Sequence, residues 1–178
     1  MRIPAILVAC VLGVMTWKAL DAKKAALASG SSDIQNLAHS LAEHASHTIQ
    51  AVDIAMAGMV DLLKYRDPEP QRFNKYLAET AKTLPQLRGI GVADASGNWT
   101  YSSLPEIPRH TISDRSYFVY HRDTPDNAIR ISELIQSRVD DRSSMIVLSK
   151  RITKLDGSFG GVVASAIDKD YFSGFYRK

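Results

Sequence analysis

Ten consecutive residues, Asp114 to Asp123, read DRSYFVYHRD and bring together three aromatic rings, two guanidinium groups and one imidazole. At helical spacing Asp114, Tyr117 and His121 fall along one side, and Arg115, Phe118 and Arg122 along the neighbouring side. Arginine presents a planar fork of donors that matches a carboxylate, and aromatic walls exclude water and so strengthen those hydrogen bonds. The stretch therefore suits recognition of a small anion. Its residues are also compatible with a plainer arrangement, in which the rings are core and the arginines pair with Asp114 or Asp123 at the surface. A pocket needs polar groups converging from several segments, which one segment cannot show.

Other chemistry-bearing residues are dispersed. Ser137 and Arg138 end a strand-like run, and Asp168 ends the last one, VVASAID, where strand alternation puts Val162, Ala164, Ala166 and Asp168 on one face. A carboxylate at the end of a small, apolar face needs a cation: a ligand ammonium, or Lys150 or Arg151 from within the chain. His39, Glu43 and His47 recur every four residues, a spacing compatible with a metal site but read as a solvated helix face, and neither metal nor cofactor is expected. The glycines of GSFGG (157–161) lack the Gly-Lys-Ser/Thr ending of a phosphate loop and open a strand, so they read as a turn. There is no Gly-x-Ser-x-Gly elbow, and the single cysteine, Cys10, lies in an apolar run that makes it a poor nucleophile. No catalytic constellation is visible, and a non-enzymatic role is expected.

The elements that must position these residues follow from periodicity. Ile34, Leu37, Leu41, Ala45, Thr48, Val52, Ala55, Met59 and Leu62 keep three-and-four spacing, predicting a long helix over 33–65 with one apolar side. Such a helix could back a sheet, act as a stalk, or form one strand of a helical dimer. Asp67-Pro68-Glu69-Pro70 breaks it, and QRFNKYLAETAKTL reads as a second helix ending before Pro85. LRGIGVAD, turned by ASGN into WTYS, then AIRISELIQS, SSMIVLSKRITK and SFGGVVASAID read as strands, with Asp156-Gly157 a strong hairpin turn. Helices followed by about five antiparallel strands imply an α+β domain with the helices on one face.

Before these lies Ile3 to Trp17, with no charged residue. The run is short against the ~20 residues that cross a bilayer, but it lacks a clean signal-cleavage site, so residues 1–21 are read as an uncleaved membrane anchor and 31–178 as the folded domain. With 178 residues, 45% hydrophobic and 23% charged, the chain suits one globular domain plus an appendage. A net charge of +3 from scattered Lys and Arg provides no stripe for nucleic acid, which is excluded as a partner.

Taken in order, the apolar N-terminal run, the long amphipathic helix, DRSYFVYHRD, ISELIQSR, LSKRI and DGSFGGVVASAIDKDYF resemble the extracytoplasmic PAS-like sensor domains called Cache or PDC domains. The resemblance spans Leu37 to Tyr176 and is most specific over Ser113 to Tyr171. It is nearest to the membrane-distal module of double-Cache receptors that precede histidine kinases and diguanylate cyclases. It implies a five-stranded antiparallel sheet over residues 86–176, backed by the long helix, with a pocket between the sheet and a covering segment. It also implies a bacterial inner-membrane protein with its sensor in the periplasm and a small-molecule ligand; the long helix, by its own periodicity, allows a homodimer, and a helical dimerisation or adaptor module without a ligand is the alternative reading. In the amino-acid-binding branch an Arg-x-Trp-Tyr stretch holds the ligand carboxylate and a final-strand aspartate its amino group. Arg115-Ser116-Tyr117-Phe118 lies in that place, with Tyr for Trp and Phe for Tyr, and Asp168 fits the aspartate, so an amino acid or another small carboxylate is expected. By the same resemblance His121, Arg122, Ser137 and Arg138 join the ligand-binding set. Val139-Asp140-Asp141-Arg142 departs from the usual Thr-Gly, predicting an altered rim. The second sensor module and output domain of a full receptor are not in the sequence, which is read as a fragment or a truncated form.

Overall fold

The computed structural model describes the backbone of residues 3–139 and 143–168, and the side chains of 17, 18, 34–139 and 143–167. Helix α1 runs from Ile3 to Tyr65, and the chain divides into two compact units at His47/Thr48. The helix is continuous through ASGSSD at 28–33, where a start was expected. One glycine and three serines cost a helix interior only about 2 kcal/mol in total, too little to stop propagation between alanine-rich flanks. The side chains of the expected anchor, 1–21, lie outside the described residues apart from Trp17 and Lys18. Among the described residues no helix is long and apolar enough to cross a membrane. In this first unit His39 and Glu43 touch at 3.5 Å with both side chains exposed, and among the described residues no group of three or more His, Cys, Asp or Glu could hold a metal ion.

The second unit, from Thr48, is an α+β domain. Its second helix, α2 (Pro70–Thr83), begins where its residues require: Glu69 accepts hydrogen bonds from the N–H groups of Gln71 and Arg72 at 3.0 and 2.8 Å, and Pro70 has no N–H to orphan. Strands β1 (Leu87–Asp94), β2 (Trp99–Ser102), β3 (Arg130–Ile131), β4 (Ile135–Gln136), β5 (Ser144–Thr153) and β6 (Phe159–Asp168) form a six-stranded antiparallel sheet. Its order is β2-β1-β6-β5-β3, with β4 also pairing to β5. The sixth strand arises because AIRISELIQS, read as one strand, bends into two short pieces that share the outer edge of β5.

Each sheet face has its own cover. Val52, Met56 and Met59 of α1, with Phe73 and Leu77 of α2, pack on Ile90, Val92, Leu148, Val163 and Ile167, and Lys150 of β5 pairs with Asp53 of α1 at 2.6 Å. Val52 and Met59, which a helical dimer seam would have used, are fully buried inside the domain's own core. On the opposite face a third helix, α3 (Ser116–Asp123), packs with Ile112 onto Ala93, Val147, Val162 and Ala164. The two helices that precede the strands thus share one face, while α3 covers the other: it buries Tyr117, Phe118 and His121 and must place them on apolar sheet surface that α1 and α2 do not reach.

Candidate functional site

A cavity of about 290 Å³ opens between that second face and the segment leading from β2 into α3. Its floor is made of positions that carry almost no side chain. Gly89 pairs with Ala166 and Gly91 with Ala164 across β1 and β6, and all four line the cavity. Pro108, His110 and Ile112 form the cover. Three bonds fasten it: Ile112 N–H and Thr111 Oγ1 both donate to the Gly97 carbonyl (2.9 and 3.0 Å), and Arg138 donates to the Thr111 carbonyl (3.1 Å).

Polar groups converge from separate elements. Arg115, the residue preceding α3, is half-buried, lines the cavity and donates to the Gln136 carbonyl at 2.8 Å. Arg138 lines it too, held by both carboxylate oxygens of Asp114 at 2.9 and 2.6 Å. Tyr117 is buried among the lining residues, and its burial pushes the phenol up to about 12, so it stays a neutral donor. Ser137 is buried at the rim. Arg88 also lines the cavity and bonds to Ser143. Three guanidiniums thus line a largely apolar space, that of Arg138 paired with Asp114 and that of Arg88 bonded to Ser143.

Not every expected site residue is there. Phe118 packs edge-on against Phe159 in the core, with ring centroids 5.4 Å apart. His121 is completely buried between α3 and β5, its Nε2 3.1 Å from Ser149 Oγ, and burial foremost, aided by Arg130 and Arg151, lowers its pKa. Arg122 is exposed and pairs with its neighbour Asp123 at 2.8 Å. The physical reason lies in where the helix starts. Arg115 precedes the first turn and swings toward the cavity, whereas positions one turn and more further on must face either sheet or water.

Asp168 ends β6 opposite Met145, itself a lining residue; its side chain lies outside the described residues. Lys150 and Arg151, the internal partners weighed for it, pair with Val163 and Val162 instead, roughly 17 and 20 Å away along the strand. Lys150 is engaged by Asp53, and Arg151 donates to the carbonyl of His121. Residues 140–142, where an altered rim was expected, also lie outside the described residues.

Arg88, Trp99 and His110 are lining residues that escaped sequence reasoning. Trp99, on the edge strand β2, lies over Gly91 and directs its indole N–H at His110 Nε2, 3.4 Å away. The pKa of His110 is lowered, chiefly by burial and then by Arg138 and Arg115. A tryptophan opening a short strand and a histidine in a proline-flanked loop carry no local signal of convergence. Only glycine at 91, beneath the Trp99 ring, hints at it.

No family model matches the chain. No curated protein matches it either. Among solved structures it is similar to the extracellular domain of rpHK1S-Z16, a chain assigned to the histidine kinases, with 42% identity and a TM-score of 0.79 over 85% of this chain. The chain spans 62% of that domain's length. An extracellular ligand-binding receptor from Desulfohalobium retbaense (17% identity, TM-score 0.65, 75% of this chain and 25% of that one) shares the fold. So does the ligand-binding domain of the Pseudomonas aeruginosa amino-acid chemoreceptor PctC, in complex with GABA (12% identity, TM-score 0.56, 73% of this chain and 61% of that one). The chain thus has the fold of the Cache/PDC-type extracellular ligand-binding sensor domains found in histidine kinases and chemoreceptors.

Proposed function

We propose that this chain is the sensing part of a bacterial membrane receptor, held by its N-terminal helix in the inner membrane with the sheet domain in the periplasm, and that it binds a small carboxylate or amino acid in the cavity. The observation that carries this reading is the convergence of Arg115 and Arg138 on a cavity with a small-residue floor, where the Arg115 guanidinium, bonded among the described contacts only to the Gln136 carbonyl, lines the space beside the Arg138–Asp114 pair. An anion entering there exchanges water for charge-assisted bonds in a partly dehydrated space. Arg115 takes the carboxylate, Arg138 adds a second guanidinium, and Tyr117 and Ser137 supply hydroxyls. Asp168 takes the ammonium if the ligand is an amino acid, the class bound by the PctC domain. Phe118 and His121 act indirectly, by seating α3, whereas Arg122 faces water. The protein performs no chemistry on its ligand; binding shifts the domain between two arrangements, and α1 relays the shift, provided affinity differs between them.

The test is a thermal-shift and calorimetric screen of the purified chain against matched pairs of carboxylates with and without an amino group, with dicarboxylates included. A ligand at ~100 times its dissociation constant should add about 2.7 kcal/mol of stability. Hits that survive Arg115→Ala unchanged would remove the cavity from consideration.

A further inference from the structure

The cavity owes its shape to what is missing from its floor and to one ring that fills part of the gap. Gly91 and Ala164 face each other across β1 and β6, Gly89 and Ala166 likewise, and Val147 continues the surface on β5 opposite Ala166. The result is a flat strip with no polar side chain, bordered by Ile112 and Met145. Trp99 lies across one end. A Cβ at position 91 would stand 2.6 Å from its Cζ3 and 2.9 Å from its Cε3, so the indole occupies the space that any residue but glycine would claim. His110 fixes the ring from the cover side, accepting the indole N–H and lying edge-on to it. His110 also feels Arg138 and Arg115, so the aromatic wall adjoins the guanidinium pair. A carboxylate held by those arginines therefore has an apolar strip in front of it and a tryptophan along it.

Building on the anion-sensing reading above, we propose that the ligand is a monocarboxylate with an unbranched apolar body and that Trp99, seated on Gly91 and held by His110, determines how long that body can be. An apolar cavity of about 150 Å³ holds a benzene ring, so 290 Å³ leaves room for a body of roughly twice that bulk. Branched or polar bodies would be resisted for the same reason the floor is flat. No side chain there can move aside, and none can satisfy a buried hydroxyl or amide.

The straight-chain carboxylates from acetate to octanoate provide the probe, titrated as sodium salts into the full chain carrying Trp17→Phe. Trp17 and Trp99 are the only tryptophans, so emission then reports the cavity. Affinity should rise about fourfold per added methylene, the ~0.8 kcal/mol of burying one CH2 group, and stop rising at a defined length. Trp99→Phe and Trp99→Ala, read by calorimetry, should move that limit to longer chains, and Gly91→Ala, which pushes the ring inward, to shorter ones. Melting temperatures identify a variant that has lost its fold, and Trp99→Phe retains the wall's aromatic character if alanine is too severe. An unchanged limit in all folded variants overturns the role given to Trp99. If amino acids or dicarboxylates bind through Arg115 while the alkyl series does not, the apolar-body assignment falls and anion sensing stands. If no anion of either set binds, anion sensing itself falls.

Discussion

Arg138 and Asp114 clasp each other through two parallel hydrogen bonds, Nη1 to Oδ1 at 2.9 Å and Nη2 to Oδ2 at 2.6 Å, while the same Nη1 reaches the Thr111 carbonyl at 3.1 Å. One guanidinium thereby ties the cavity's cover, the residue before Arg115, and the segment after β4. The bond to Arg138, above all other influences, holds the Asp114 carboxyl down at about 2. Its folded value lies below the ordinary 3.8, so the clasp contributes fully above 3.8 and is lost as pH falls through about 2. Asp114 is largely exposed, which limits its contribution to under about 1 kcal/mol. Carboxyl-carbon NMR should give Asp114 a midpoint near 2 that moves toward 3.8 in Arg138→Gln; a midpoint that stays put would mean the clasp does not persist in solution.

The Arg115 side chain makes one described hydrogen bond, to a carbonyl, so its removal should hardly disturb the fold. Arg115→Ala is expected to shift the midpoint of unfolding by less than about 1 kcal/mol while weakening a bound carboxylate at least tenfold. Arg115→Lys should recover little, because an ammonium cannot reproduce a planar fork. Equal loss of stability and of affinity would indicate a scaffold residue instead.

His121 makes stability depend on pH in the opposite region. Burial is the main reason its folded pKa is lowered from 6.5, with Arg130 and Arg151 adding to it and Asp126 opposing. The unfolded chain binds this proton more readily, so stability should be lost as pH falls below 6.5. Melting temperatures between pH 7.5 and 5.5 should therefore fall more steeply for the wild type than for His121→Gln. Parallel curves would contradict the buried, neutral state.

Gly161 stands opposite Asp94 at φ +128°, and a Cβ there would lie 2.0 Å from the Ala93 carbonyl oxygen. Backbone strain and a clash with main-chain atoms that cannot yield act together, so Gly161→Ala should cost on the order of 3 kcal/mol or more. Gly157, also at positive φ but with open space around it, should suffer only the conformational penalty. Urea denaturation of both variants distinguishes the two; similar losses would refute the clash.

On α1, Met56 is fully buried whereas Ile54 is 67% exposed. Met56→Ala should cost about 2–5 kcal/mol through the cavity it leaves, and Ile54→Ala almost nothing. A large loss at Ile54 would reveal a partner on the outer face of the helix.

Much of the architecture was written locally. The DP-EP break, the ASGN and Asp-Gly turns, and the shift of period from three-and-four to two correspond to α2, the β1–β2 turn and the β5–β6 hairpin, because each depends on backbone preferences within a few residues. Chemistry concentrated in DRSYFVYHRD was legible in the same way. Its division was not: Arg115 and Tyr117 reach the cavity, Phe118 and His121 enter the core, and Arg122 faces water. That sorting depends on where α3 begins and which sheet face it covers, and neither is encoded within ten residues. The cavity is less local still. It exists because antiparallel register sets Gly91 beside Ala164 and Gly89 beside Ala166, and because Trp99, His110 and Arg138 arrive from three separate segments. Periodicity reports the direction of each side chain relative to its neighbours in the chain. An empty space is defined by side chains absent from paired strands, and only the folded sheet brings those positions together.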